Sequence, residues 1–221
     1  MKTIVSVIGS NATGKSTRIN KLVDYLDQSG LTYSDVIYEF TKNGEQKTVK
    51  SGRRYENGVF ILGNKTKTGG WVGADYVLGK LGDKATIYQF MNVILESSDT
   101  MIIEGYFAVG GAGMRPQALR DNLNYDIQCA QYYFLYNELQ EYIDRTESRS
   151  GKTWESRGKD PEKSAGWKSN ISYWKGLKKA QEQEIEGRDL VGTVNPYIKE
   201  DFFIEEYNNY IKCGNICEPC I

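Results

Sequence analysis

Gly9-Ser10-Asn11-Ala12-Thr13-Gly14-Lys15-Ser16 fits G-x-x-x-x-G-K-[ST], the pattern of a phosphate-binding loop. The flanks fit it too. Thr3 to Ile8 is a short apolar, β-branched run, which predicts a buried strand. Behind the loop, Ile19, Leu22, Val23 and Leu26 fall on one face of a helix over 17–26. Strand, loop and helix are what the chemistry needs. The two glycines let the backbone curl until successive N–H groups point at phosphate oxygens. The helix N-terminus adds partial positive charge. Lys15 is then expected to reach the β- and γ-phosphates, and the Ser16 hydroxyl to ligate Mg²⁺. The residues expected to contact the nucleotide are Gly9, Ser10, Asn11, Ala12, Thr13, Gly14, Lys15, Ser16 and Thr17.

Composition narrows the chemistry. A chain of 221 residues suits one α/β domain, 1–221, with inserts. Histidine is absent, which removes a His base, a His metal ligand and any Ser-His-Asp triad. The formal charge is −1, so a basic surface for nucleic acid must be local. There is no apolar run of membrane-spanning length. No secretory leader is expected, and a nucleotide site with few cysteines points to a reducing cytoplasm.

Further along, Asp35 to Phe40 predicts a second strand. Glu39 at its end falls on the ligand edge of a parallel sheet, as a base or as a surface glutamate. Residues 41–58 read as an exposed hairpin or mobile loop within an insert over about 41–75. That insert carries Lys42, Lys47, Lys50, Arg53, Arg54, Lys65 and Lys67. Residues 55–63 read as a strand, and 65–75 as a Gly-rich loop where Trp71 stacks on a base or packs on the core. Asp75 there can orient a hydroxyl. A helix is expected over 86–97. Thr100 to Gly105 is an apolar strand ending in an acid, placing Glu104 on Mg²⁺.

A strand over 130–136 follows, then an N-capping Asn137 and a short helix from Leu139 to Arg145. Arg145 and Arg149 share a face if that helix continues, and with Arg157 they suit an ATP-closing lid over about 145–166. Arg115 and Arg120 are read as reaching an acceptor phosphate or a DNA backbone, or as merely solvated. A helix over 167–185, a strand over 189–194 and a helix over 200–212 complete the pattern. The tail, 213–221, carries Cys213, Cys217 and Cys220, read as exposed thiols or a metal site short of a fourth ligand.

Phosphate loop, acid after strand two, the Ile102-Ile103-Glu104-Gly105 strand end and spaced arginines together resemble the small P-loop kinases of nucleotides and nucleosides. The resemblance covers about residues 1–160. It implies a three-layer P-loop NTPase fold with a mostly parallel sheet, ATP and Mg²⁺ as cofactors, and transfer by positioned charge without a covalent intermediate. It implies Lys15, Arg145, Arg149 and Arg157 on phosphates, Ser16 and Glu104 on Mg²⁺, and Glu39 or Asp75 as the acceptor's base. More narrowly, Ile61-Leu62-Gly63 leading to Gly69-Gly70 and Gly73-Ala74-Asp75 is similar to bacteriophage kinases of 5-hydroxymethyluracil in DNA. That likeness implies modified DNA as acceptor and the host cytoplasm as location. A deoxynucleoside monophosphate kinase and a P-loop ATPase of regulatory type are the other readings. Lys15→Ala is expected to lower phosphoryl transfer on the order of 10²-fold or more with the fold intact, since one cation facing the developing charge is lost. Near-normal turnover of the folded variant would move the chemistry elsewhere.

Overall fold

The computed structural model describes residues 1–9, 13–105, 115–151, 172, 174–176, 179, 190–194 and 197–211. Ser10, Asn11, Ala12, Arg157, the three tail cysteines and most of the helix expected over 167–185 lie outside them.

The elements begin with β1 (Lys2–Gly9), α1 (Lys15–Gln28), β2 (Tyr33–Lys42), β3 (Glu45–Tyr55) and β4 (Val59–Leu62). Two short strands follow, β5 (Asn64–Lys65) and β6 (Trp71–Val72), then α2 (Ala74–Leu81), α3 (Lys84–Glu96) and β7 (Thr100–Glu104). After these come α4 (Pro116–Asn122), β8 (Ile127–Phe134), α5 (Leu139–Ser150), β9 (Leu190–Val194), α6 (Phe202–Glu206) and a π-helical turn, Tyr207–Ile211.

The main sheet runs β2-β3-β4-β7-β1-β8-β9. From β4 to β9 every neighbouring pair is parallel. β3 runs antiparallel to β4, and β2 antiparallel to β3. Parallel strands covered on both faces read as continuous apolar runs, and β1 and β7 do. Alternate side chains feed two cores. Ile4, Phe60, Leu62, Met101 and Ile103 meet α2, α3 and α4 on one face. Val5, Val7, Val59, Ile61 and Ile102 meet α1, Phe203 and Tyr207 on the other. The result is a mixed α/β molecule of three layers. Among the described residues no helix is long and apolar enough to cross a membrane.

Several elements differ from expectation. The polar stretch 41–58 is mostly strand, because the long β2–β3 hairpin joins the sheet through β4. Asn43 and Gly44 turn it, with φ of 56° and 79°, as a two-residue type I′ turn requires. α2 was not legible as a helix, being eight residues long with a glycine inside it. α5 is capped by Glu138 rather than Asn137, in a capping box with Glu141, and it continues well past Arg145. The last helix is one turn of α-helix running into a π-helical turn, not a continuous helix to 212.

The β3–β4 junction is tight. A Cβ on Gly52 would lie 2.3 Å from the Ile61 carbonyl oxygen and 2.6 Å from Phe60 Cζ. Backbone cannot yield as a flexible side chain does. Gly52→Ala is expected to destabilise the protein by about 1–3 kcal/mol. In a chain of this size, each kcal/mol lost lowers the melting temperature by about 2–4 °C. An unchanged melting curve would refute the contact.

Candidate active site

The site lies where β1, β7 and β8 end. β1 delivers the chain at Gly9, and the turn before α1 closes at Gly14, whose φ of 78° and ψ of 13° lie in the left-handed region. α1 then begins at Lys15, so the lysine enters the cavity at the helix N-terminus. Its ammonium donates to Thr13 Oγ1 at 3.4 Å and stands 4.0 Å from Glu104 Oε1. Both side chains are nearly out of water, 8% and 6% exposed. The Ser16 hydroxyl also hydrogen-bonds Glu104.

Burial sets the electrostatics. It pushes the Lys15 ammonium below its ordinary range, and Arg149 adds to that, while Glu104 and Asp75 push back. Burial pushes the Glu104 carboxyl up, and Asp75 adds to that, while Lys15 and Ser16 push back. In both cases desolvation outweighs the partner.

The segment between β4 and α2 closes one side of the site by close approach of backbone. A Cβ on Gly73 would lie 1.9 Å from Glu104 Oε2 and 2.5 Å from the Glu104 carbonyl oxygen. Across from it, a Cβ on Gly105 would lie 2.7 Å from Asp75 Oδ1. Only glycine fits at either place, and together they set Asp75 in the first turn of α2 beside Glu104. The other side is α5, which contributes Arg145, Ser148 and Arg149. Arg145 hydrogen-bonds the Tyr136 hydroxyl. The cavity between them is about 640 Å³, within the usual range of small-molecule sites.

A protein-family model described as 5-hmdU DNA kinase 2 matches residues 1–208. The chain belongs to that family. A curated relative, the 5-hmdU DNA kinase 2 of Salmonella phage ViI, is 24% identical over 191 residues, which is 84% of this chain. The chain spans 58% of that relative's length. The likeness to phage kinases drawn from residues 61–75 is borne out by these matches.

Within this family member, the cavity brings together most of the residues singled out from sequence. Gly9, Gly14, Lys15, Ser16, Thr17, Asp75, Glu104, Arg145 and Arg149 all line it, and Thr13 holds Lys15 from behind. Glu39 does not join them. It is exposed on β2, opposite Thr48, at the sheet's edge with β3, β4 and β7 between it and β1. Trp71 lines the cavity as well, but it does not offer an open ring. It is 6% exposed and packs in the core beneath α1, with its indole against Gly63.

Most of the insert's cations have a partner within the protein. Lys47 pairs with Glu45, Lys50 with Asp35, and Lys65 with Asp24. Arg53 pairs with Asp27 at 2.5 Å, and Tyr55 donates to the same carboxylate at 2.9 Å. Arg54 donates to Ser98, and Lys42 to the Lys80 carbonyl. The cations along this hairpin are thus interspersed with carboxylates rather than forming an unbroken basic track. Carboxylates on α1 and β2, distant in sequence, meet Lys50, Arg53 and Lys65.

Sequence reasoning missed Val72, Gly73, Tyr76 and Ser148, which line the cavity, and Arg18. Arg18 donates to the carbonyls of Thr13, Gly14, Ile198 and Lys199 and lies over the Phe134 ring, tying the loop before α1 to the chain beyond β9. A glycine directly before a helix that opens with an acid was the one available signal, for Gly73.

Gly73→Ala is expected to lower phosphoryl transfer by about 10²-fold, since it displaces the Glu104 carboxylate by an ångström or more. Wild-type turnover in that variant would refute the close approach of Gly73 to Glu104.

Proposed function

We propose that the chain is an ATP- and magnesium-dependent kinase that phosphorylates the hydroxyl of 5-hydroxymethyluracil in DNA. One observation carries the chemistry: Lys15, Ser16, Glu104, Asp75 and Arg149 surround a single cavity at the ends of parallel strands. The matching family and the phage relative, both 5-hmdU DNA kinases by name, suggest the acceptor. The loop before α1 is read as a P-loop and the arginines of α5 as the lid.

The donor set fits the ligands. Lys15 is a cation held out of water with its charge disfavoured, so a polyanion entering beside it restores what burial removed. Glu104 is a carboxylate in the complementary condition, and with the Ser16 hydroxyl it forms a hard-oxygen pair suited to magnesium. Ser16 and Glu104 would hold that ion, whose charge offsets the charge on the phosphate oxygens. Lys15 and Arg149 face the transferring group and favour the charge that develops there. Arg145 reaches the same cavity from α5.

Asp75 receives the acceptor. The acceptor oxygen bonds to the γ-phosphorus, the bond from that phosphorus to the β–γ bridging oxygen breaks, and ADP leaves. The hydroxyl proton passes to the Asp75 carboxylate and from there to water. A cavity of about 640 Å³ has the size of a small-molecule site rather than of a duplex groove. A base within duplex DNA must therefore leave the stack to react.

Transfer of labelled γ-phosphate to free nucleotides, plain DNA and hydroxymethylated DNA tests this reading. Label is expected on hydroxymethylated DNA alone. Transfer to a free monophosphate with none to DNA would replace this acceptor with a mononucleotide, and ATP hydrolysis without any acceptor would indicate a regulatory ATPase. Asp75→Asn is expected to lower kcat by about 10²- to 10⁴-fold, the range for a lost general base, with DNA affinity unchanged.

A further inference from the structure

A base and a strand need an open surface, whereas Trp71 at the cavity is only 6% exposed and the Lys50, Arg53 and Lys65 charges meet carboxylates. The exposed face of α2 has the features such a surface needs. Tyr76 follows Asp75 directly and lines the same cavity, yet it remains 48% exposed. Val72, beside it on the cavity wall, is 37% exposed. These are among the few large apolar side chains left to solvent, and both stand at the cavity. The Lys80 ammonium lies 4.6 Å from the Tyr76 ring centroid, one helical turn on. Lys42, from the end of β2, reaches the same end of α2 and donates to the Lys80 carbonyl at 2.8 Å.

Gly79 lies between them on that face. It is exposed, its φ is an ordinary one, and a Cβ there would meet nothing within 4 Å. Among the described residues neither backbone conformation nor packing calls for glycine here, and a glycine in a helix interior weakens the helix. An aromatic ring, a bare stretch of backbone and two cations thus follow one another outward from the cavity. That order suits one strand of nucleic acid with its reactive base inward.

We propose that the exposed face of α2 is the acceptor platform: the Tyr76 ring stacks on the pyrimidine being phosphorylated, the strand passes over Gly79, and Lys80 and Lys42 meet the flanking phosphates. This rests on the reading of the chain as a kinase of modified DNA. Of the two roles the sequence left open for Trp71, stacking on a base or packing on the core, the second holds, and Tyr76 takes the first. Four residues of helix advance about 6 Å, so Tyr76 and Lys80 fall within one nucleotide's reach of each other.

The probe is a single-stranded oligonucleotide carrying one 5-hydroxymethyluracil, measured by fluorescence anisotropy and by phosphoryl transfer. Tyr76→Ala is expected to weaken oligonucleotide binding by about 5- to 150-fold, the range for one lost base–aromatic stack. Melting temperature and ATP affinity should hold. Tyr76→Trp and Tyr76→Phe should restore binding, because the ring and not the hydroxyl is needed. Lys80→Ala should lower the slope of log affinity against log salt by about 0.7, the value for one single-strand phosphate contact. Gly79→Gln should leave the fold as stable or more so and still weaken binding, a combination that internal packing does not produce.

Wild-type oligonucleotide affinity in Tyr76→Ala overturns the platform, as does a loss confined to the free 5-hydroxymethyl mononucleotide. If the wild-type protein transfers no phosphate to any hydroxymethylated oligonucleotide, the function reading fails instead. The anisotropy series then judges the platform by itself.

Discussion

A lysine ammonium and a glutamate carboxylate, both removed from water, face each other at 4.0 Å across the ends of two neighbouring parallel strands. Each is costly to bury alone. Removing one partner of such a pair costs about 3–5 kcal/mol because the other charge stays uncompensated. The pair is also incomplete, since burial still moves Lys15 and Glu104 toward their neutral forms. The surrounding architecture keeps it so. The register of β1 and β7 places Glu104 opposite Val7, near the end of β1. Gly14 turns Lys15 inward, and Gly73 gives the Glu104 carboxylate its space.

A second electrostatic cluster holds the wall of the site. Asp24 and Asp27, on the last turns of α1, gather Lys65 from β5 and Arg53 from β3. Burial and the Asp27 charge push the Tyr55 hydroxyl well above the ordinary tyrosine range, so it stays a donor to Asp27 across neutral pH. The helix that opens at Lys15 therefore also anchors the small β5–β6 hairpin at its other end. That hairpin leads directly into Gly73 and Asp75. Displacement of the hairpin would disturb the spacing of Asp75 from Glu104 without touching either residue.

The distribution of aromatic and basic residues shows how much partners change meaning. A lysine or arginine in a Gly-rich insert reads as a surface charge until the carboxylate that meets it is located. Here the carboxylates come from α1 and from the facing strand of the hairpin. Trp71 likewise reads as an available ring, yet the turn at Gly63 folds it under α1. Tyr76, less conspicuous in the sequence, is the more open of the two rings at the cavity, 48% exposed against 6%.

What the sequence determined by itself was local. The run from Thr3 to Ser16, the apolar face of α1, the strand ending in Glu104 and the one-turn spacing of Arg145 and Arg149 each depend on neighbours a few residues away. Their positions follow from strand and helix periodicity. The family likeness was legible for the same reason, because it resides in short contiguous motifs. Tertiary structure alone decided everything that depends on which strands become neighbours. Strand order sent Glu39 to the sheet's edge and brought Asp75 beside Glu104, residues well apart in the chain. It paired the insert's cations and buried Trp71. These outcomes rest on contacts between distant segments, and a desolvated charge or a covered ring is defined by what covers it, which no local pattern contains.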